Sequence, residues 1–245
     1  MGAVRSLKTK ATYKEWIEAL LKFITPPSSV EPKEIGLIND VYYDNSVKEG
    51  MRRARGETKE GPRVKIEGFD QHMLQGNRWQ HFLSWGEHKN ELISLIARYA
   101  SSKDCSSKLK HPFIFTTGNK TYKTVSGKVE LLFDCNHEEA DTRLVLHALL
   151  CENDVVIVCK DTDVMILLVW AYIKYNVTKK WYMNYEKGQY ADIGMIVEFL
   201  GPAVGICLPA LHALTGCDTT SHFHNTGKCT ILQKVIANPQ KILLI

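Results

Sequence analysis

Two aspartates one residue apart, Asp161 and Asp163, interrupt an otherwise apolar part of the chain. They stand in CKDTDVMILLVW and follow the apolar run DVVIVCK. Charged groups beside apolar segments cost free energy unless they are solvated, paired or bound to a cation. A second acidic group, Glu138, Glu139 and Asp141, follows the apolar segment KVELLFD. These two acidic groups are the first candidates in the sequence for a catalytic or metal-binding site.

Two further aspartates end or follow predicted elements. Asp44 ends the predicted strand IGLINDVYYD, and Asp218 lies in LTGCDTTSHFHNTGK, after the short predicted helix LPALHAL. In an open parallel sheet, functional groups gather at the carboxyl ends of the strands. Clustered carboxylates repel one another unless a hard cation lies between them, and oxygen ligands suit Mg²⁺ or Mn²⁺. Two such ions roughly 3.5 to 4 Å apart can activate a water for phosphodiester hydrolysis, so the acids indicate a nuclease.

Each acid also has a purely structural interpretation. The acids that follow KVELLFD fit the first turn of a helix capped by Asn136. Asp163 fits the cap of a helix that begins at Val164, with Asp161 as a solvated turn residue, and Asp218 fits the cap of TTSHF. The types of these residues alone therefore leave the metal site and the helix caps both open.

The elements that must position these acids alternate between strand and helix. After residue 110 the pattern predicts two strands, HPFIFTT and KVELLFDCN, followed by the helix HEEADTRLVLHALL. The strand DVVIVCK, the strand KKWYMNYEK and the helix ADIGMIVEFLG come next. This alternation predicts an α/β fold with a mostly parallel central sheet and helices on both faces.

Two amphipathic helices are predicted before this region. The segment TYKEWIEALLKFI has Thr12 and Glu15 at the spacing of a capping box, and Ser84 and Glu87 repeat that spacing before HKNELISLIARYA. One face of the first helix is predicted to pack inward through Trp16, Leu20, Phe23 and Ile24.

Three motifs in this order, EEADT, DTD and LTGCDTTSHFHNTGK, resemble the PIN-like metal nucleases, specifically the flap endonuclease group. The resemblance covers residues 36–235 and implies one three-layer PIN-like domain over residues 1–245. Within it, the expected parts are a helix and linker (1–35), a strand, basic arm and helix (36–110), an acidic metal-site core (111–206) and a helix-hairpin-helix-like segment (207–245). The family opens with a strand that ends in a metal-binding aspartate. GAVRSLK, after Met1, resembles the sequence that follows that strand, so the first strand is expected to be missing.

The resemblance implies a role for each matching residue. The catalytic acids would be Asp44, Glu139, Asp141, Asp161, Asp163 and Asp218. Two Mg²⁺ or Mn²⁺ ions would be held by Glu138, Glu139, Asp141, Asp161, Asp163 and Asp218. Phosphate contacts would come from Lys48, Arg52, Arg53 and Arg55 in SVKEGMRRARG, and from Gly227 and Lys228 in HNTGK.

The composition and the amino terminus limit which binding partners and which cellular location are expected. A net charge of +4 and a pI near 8.6 permit nucleic acid as a partner, and the resemblance to flap endonucleases implies DNA. The chain has seven cysteines without a C-x-x-C pair, and its amino terminus lacks the pattern of a secretory signal. An intracellular protein is therefore predicted, with a nuclear location expected rather than a cytoplasmic one. No membrane partner is predicted, because the apolar run near residues 164–173 is about half of what a spanning helix needs.

Two other classes of function remain open. A zinc-binding interaction module is suggested by a concentration of nitrogen and sulfur ligands, Cys207, His212, Cys217, His222, His224 and Cys229, although their spacing is poor for structural zinc. A non-catalytic nucleic-acid or protein-binding domain that keeps the nuclease fold is the second alternative. A serine hydrolase or a phosphate-loop enzyme is not supported, since neither motif occurs.

Overall fold

The computed structural model of the chain describes residues 7–27, 29–43, 64–106, 108–217 and 227–239. The chain divides into two compact units, Met1–Ala140 and Asp141–Ile245. Both units combine helices with a sheet, which confirms the mixed α/β class. The three-layer arrangement and the single domain stay predictions.

The first unit begins with the predicted amphipathic helix, α1 (Tyr13–Ile24). Thr12 caps it by accepting a hydrogen bond of 3.3 Å from the backbone N–H of Glu15, as the capping-box spacing predicts. The Glu15 carboxylate accepts from the backbone N–H of Ala11, one residue before the cap. Trp16 and Leu20 are buried, but Phe23 is 56% exposed, so its place on the buried face was predicted wrongly.

Three more helices follow in the first unit: α2 (Gly76–Ser84), α3 (Gly86–Ala100) and α4 (Lys103–Ser106). Helix α3 is the second predicted helix, but its capping box is wrong. Its N-cap is Trp85, which caps through no side-chain hydrogen bond among the described residues, and the Ser84 hydroxyl donates back to the carbonyl of His81 at 2.7 Å. Ser84 therefore closes α2 instead of opening α3.

The sheet of the first unit has the order β1-β2-β3-β4. Strand β1 (Ile35–Leu37) runs parallel to β2 (Phe113–Thr117), whereas β3 (Lys120–Val125) and β4 (Lys128–Asp134) form an antiparallel hairpin that continues the sheet. Ser126 and Gly127 join the hairpin with φ of 49° and 79°, the left-handed pair that a two-residue type I′ turn requires. Strand β3, KTYKTV, was not predicted, because its polar residues lack the apolar run of its neighbours.

Aromatic side chains build the core of the first unit. The rings of Trp16 and Trp79 meet edge to face at 5.7 Å, and Trp79 stacks on Phe82 at 5.4 Å. The fully buried His88 also stacks on Phe82, with ring centroids 4.6 Å apart. Phe113 brings β2 into the same cluster, so α1, α2, α3 and β2 share one core.

The second unit contains the acidic motifs. Its elements are α5 (Ala140–Leu150), β5 (Val155–Val158), α6 (Thr162–Lys174), β6 (Trp181–Glu186), β7 (Gln189–Asp192), α7 (Ile193–Leu214) and α8 (Lys228–Ala237), with α5 beginning one residue before the unit boundary. Strands β5 and β6 are parallel and are joined by α6, while β6 and β7 form an antiparallel hairpin. Ile157, Leu168 and Trp181 lie in the buried core of this unit.

An entirely apolar strand such as β5 is typical of the centre of a sheet that is buried on both faces, but β5 does not lie in such a position. In the order β5-β6-β7 it occupies an outer position among the described strands, and Val156 and Val158 are 55% and 78% exposed. Ile157 is buried in the core, and Val155 packs against it from the same face of the strand. A fully apolar run is therefore not evidence of burial on both faces here, and each sheet is mixed rather than mostly parallel.

Helix α7 is long and apolar enough to satisfy the length and composition of a membrane span, which is weak evidence by itself. Gly201 has φ 75° and ψ 157° inside it, and Pro202 follows, so the helix is broken at that point. Neither half reaches the roughly 20 residues that crossing a bilayer requires. The prediction of no membrane partner stays a prediction.

Candidate functional site

Asp161 and Asp163 lie where β5 leads into α6, as the sequence predicts for the carboxyl end of a strand. Asp161 is the N-cap of α6, and its Oδ1 accepts a hydrogen bond of 3.0 Å from the backbone N–H of Asp163. The helix therefore begins at Thr162, and the interpretation of Asp163 as the cap is wrong. The partial positive charge of the helix N-terminus stabilises both carboxylates.

Asp163 has a second partner from another helix. The imidazole Nε2 of His212, in the second half of α7, lies 2.9 Å from Oδ1 of Asp163, although the angles are not those of a hydrogen bond. The His212 side chain is 11% exposed and the Asp163 side chain 34%. Sequence reasoning placed His212 with the zinc ligands and missed this pairing, because the two residues are far apart along the chain.

Cys159 connects the two acidic motifs electrostatically. Its thiol accepts a weak hydrogen bond of 3.5 Å from the backbone N–H of Asp161. Burial raises the pKa of this thiol most, and the negative charges of Asp141 and Asp161 raise it further. Cys159 is half-buried, and the charges of Asp141, in the first turn of α5, and of Asp161, at the N-cap of α6, both act on its thiol.

Glu138 and Glu139 do not belong to α5. The helix begins at Ala140, so both residues precede it, and the predictions that place them in its first turn are wrong. The backbone carbonyl of Glu138 accepts from Val41 at 2.8 Å, which holds this segment beside the chain that follows β1. Asn136 also lies outside the helix and does not cap it.

Asp40 caps this helix start instead, and sequence reasoning missed it. Its Oδ1 accepts a hydrogen bond of 2.8 Å from the backbone N–H of Ala140, and its Oδ2 accepts one of 2.8 Å from the hydroxyl of Tyr42. Asp40 follows β1, which ends at Leu37 rather than running on to Asp44. The rule that functional groups follow strand ends would have selected Asp40 if the end of β1 had been recognised.

The remaining predicted ligands and phosphate contacts fall into two groups. Asp44, Lys48, Arg52, Arg53, Arg55 and Asp218 lie outside the described residues. Gly227 and Lys228 form the N-cap and the first residue of α8. Gly227 has φ −72°, and a β-carbon there would lie 3.8 Å from Oγ1 of Thr230, so neither the backbone nor the space requires glycine.

The described acids do not by themselves fit a metal ion. Residues 7–27, 29–43, 64–106, 108–217 and 227–239 contain no group of three or more His, Cys, Asp or Glu side chains arranged to hold one. Asp161 caps a helix and Asp163 faces His212, so both have partners without a cation. The same result covers the zinc alternative for Cys207, His212, Cys217 and Cys229, whereas His222 and His224 lie outside this part of the chain.

No family model matches the chain, and comparison with curated proteins and with solved structures gives no match either.

Proposed function

We propose that the chain is a PIN-like nuclease of the flap endonuclease type, which hydrolyses phosphodiester bonds of structured nucleic acid, with DNA as the expected substrate. The observation that carries the proposal is that both acidic motifs lie at helix starts of the second unit, with Asp141 in the first turn of α5 and Asp161 at the N-cap of α6. The expected cofactor is Mg²⁺ or Mn²⁺, since carboxylate oxygens suit hard cations.

Binding of nucleic acid without cleavage is the second candidate, and a separate observation favours it. Asp161 and Asp163 are stabilised by a helix N-terminus and by His212, so their presence is explained without a cation. The basic residues of the resembling arm and of the α8 start would still contact phosphates. An intracellular, nuclear location is expected under either function.

Cleavage of a flapped DNA duplex in MgCl₂ or MnCl₂ separates the two candidates. Asp161→Asn is the sharpest variant, because asparagine keeps the N-cap and removes the charge. Asp192→Asn is its matched control, since Asp192 caps α7 by accepting from the backbone N–H of Met195 at 3.1 Å. A nuclease of this site loses cleavage in Asp161→Asn and in Asp141→Asn and keeps it in Asp192→Asn.

The outcomes of this experiment are distinct. Flap-dependent binding with no cleavage in the unsubstituted chain assigns the binding function and overturns the nuclease. Equal cleavage by Asp161→Asn and by the unsubstituted chain shows that the cleavage does not depend on Asp161, and it also overturns the nuclease site proposed here. A chain that neither binds nor cleaves the flapped duplex excludes both candidates.

A further inference from the structure

His88, in the first turn of α3, is fully buried, and each of its ring nitrogens meets a backbone group. Nε2 accepts a hydrogen bond of 3.2 Å from the backbone N–H of Val64. Nδ1 lies 3.2 Å from the carbonyl oxygen of Phe82. Because a carbonyl oxygen can only accept, Nδ1 carries the proton, and the ring is the neutral tautomer whose acceptor is Nε2.

The two nitrogens of His88 respond differently to acid. Protonation adds an N–H at Nε2, so that two donors face each other and the hydrogen bond from Val64 is lost, whereas Nδ1 keeps its bond to Phe82. The imidazole also stacks on Phe82 at 4.6 Å and on Trp85 at 5.4 Å, and the faces of aromatic rings attract a cation. Acid is therefore expected to release Val64 and to leave His88 in place.

Charged groups of both signs lie beside His88 on the elements that contact it. The carboxylate of Glu91 favours a positive ring but already accepts from the backbone N–H of Ile66 at 2.9 Å. The buried Lys89, whose Nζ lies 4.7 Å from the centre of the Tyr42 ring, opposes a second positive charge. The other titratable neighbours are Glu87 on α3, Lys65 beside Val64, and His81 on α2, whose ring centre is 6.2 Å from that of Trp85. His81 requires its own control because it is a second histidine.

The part of the chain that acid can release is short. Val64 and Ile66 are held on α3 by the side chains of His88 and Glu91. From Phe69 onward the chain is held by α1, since the Phe69 carbonyl accepts from the backbone N–H of Lys14 at 2.8 Å. That bond joins two backbone groups and does not titrate. Loss of the His88 bond is therefore expected to loosen the residues before Phe69 without unfolding the unit.

The same helix holds a second segment through a side chain that does not titrate. The amide of Asn90 accepts from the backbone N–H of Tyr42 at 3.2 Å and donates to the Tyr42 carbonyl at 2.7 Å. We propose that His88 is a pH-sensitive latch, which holds Val64 on α3 when the ring is neutral and releases the residues before Phe69 when the ring is protonated. The latch does not depend on the nuclease function proposed above.

Hydrogen exchange of two backbone amides in the full chain tests the latch. Protection of the Val64 and Tyr42 amides is measured by NMR at about pH 7.5 and about pH 5.5, across the range in which histidines titrate, and is corrected for intrinsic exchange rates. Release that is linked to one proton lowers the protection of Val64 by up to about tenfold per pH unit. Tyr42, which is held by Asn90, is expected to keep its protection.

Substitutions of three histidines assign the effect to His88. His88→Gln supplies an amide oxygen as acceptor and does not titrate, so the protection of Val64 should become independent of pH. His81→Gln and His72→Gln are the controls and should retain the pH dependence. His72 is exposed, and its Nδ1 lies 3.2 Å from the carbonyl oxygen of Ala11.

Nitrogen-15 NMR of the His88 ring keeps the test decisive even if His88→Gln does not fold. In the unsubstituted chain, the protonation of Nε2 and the loss of Val64 protection should share one midpoint. Equal protection of Val64 at both pH values overturns the proposal. So does an equal loss of protection at Tyr42, or a pH dependence that persists in folded His88→Gln.

Discussion

The imidazole Nε2 of His212 lies 2.9 Å from Oδ1 of Asp163 and joins the second half of α7 to the first turn of α6. The side chain of His212 is 11% exposed and that of Asp163 is 34% exposed. The contact is a charge pair when His212 is protonated, and the burial of this histidine then strengthens it relative to a pair at the surface. In a double-mutant cycle of His212→Ala and Asp163→Ala, we expect a coupling of about 1 kcal/mol in the free energy of unfolding.

The surface pair Lys14 and Asp104 is the control for this cycle. Its Nζ and Oδ2 are 3.0 Å apart, but the side chains are 35% and 64% exposed. An exposed pair contributes little, because solvent screens it and two side chains must be immobilised. Equal coupling in the two cycles would show that the contact between His212 and Asp163 gains nothing from burial.

Asp161 is expected to stabilise the N-terminus of α6 through its capping hydrogen bond rather than through its charge. Asp161→Ala removes the acceptor for the backbone N–H of Asp163 and should lower the free energy of unfolding by about 1 kcal/mol, whereas Asp161→Asn should retain most of it. Urea denaturation of the two variants measures the difference. If both variants are equally destabilised, the carboxylate charge and not the cap stabilises this turn.

The contribution of Glu18 to the free energy of unfolding is expected to be lost at acid pH. Its Oε1 accepts from Lys108 Nζ at 2.6 Å and from the hydroxyl of Tyr99 at 2.5 Å, and these hydrogen bonds lower the pKa of Glu18. A lowered folded-state pKa gives stability that is present above the unfolded-state pKa and is lost as pH falls through the folded-state pKa. The difference in unfolding free energy between the unsubstituted chain and Glu18→Gln should therefore shrink from neutral to acid pH. A difference that does not depend on pH would contradict this.

The substitution Gly205→Ala, in α7, is expected to destabilise the fold. A β-carbon there would overlap Cδ1 of Ile173 and lie 3.5 Å from Cγ1 of Val169, both on α6. Glycine to alanine favours a helix, but overpacking of a core costs about 1–3 kcal/mol. We expect a lower midpoint of thermal unfolding for Gly205→Ala, and partial recovery when Ile173→Val removes the overlapping methyl. No recovery would place the strain elsewhere.

The sequence predicted which helices and strands occur better than it predicted where they begin and end. Helix α1, strand β6 and the first half of α7 are confirmed, because local periodicity and capping residues specify them. The start of α5 was wrong, since its cap is Asp40, 100 residues before Ala140 along the chain. The placement of His212 against Asp163 was missed for the same reason: a contact between distant segments has no local pattern.

Gly201 has a consequence for the sequence changes that this chain can accept. Its φ of 75° is open to glycine and costly for other residues, and the part of α7 that carries His212 begins directly after it. A substitution at Gly201 would therefore change the direction in which the chain continues, and its effect would be felt at Asp163, with which it shares no contact described here. Substitutions at Gly201 are therefore expected to be selected against, and the reason is the backbone angle at this position rather than a lost side-chain contact.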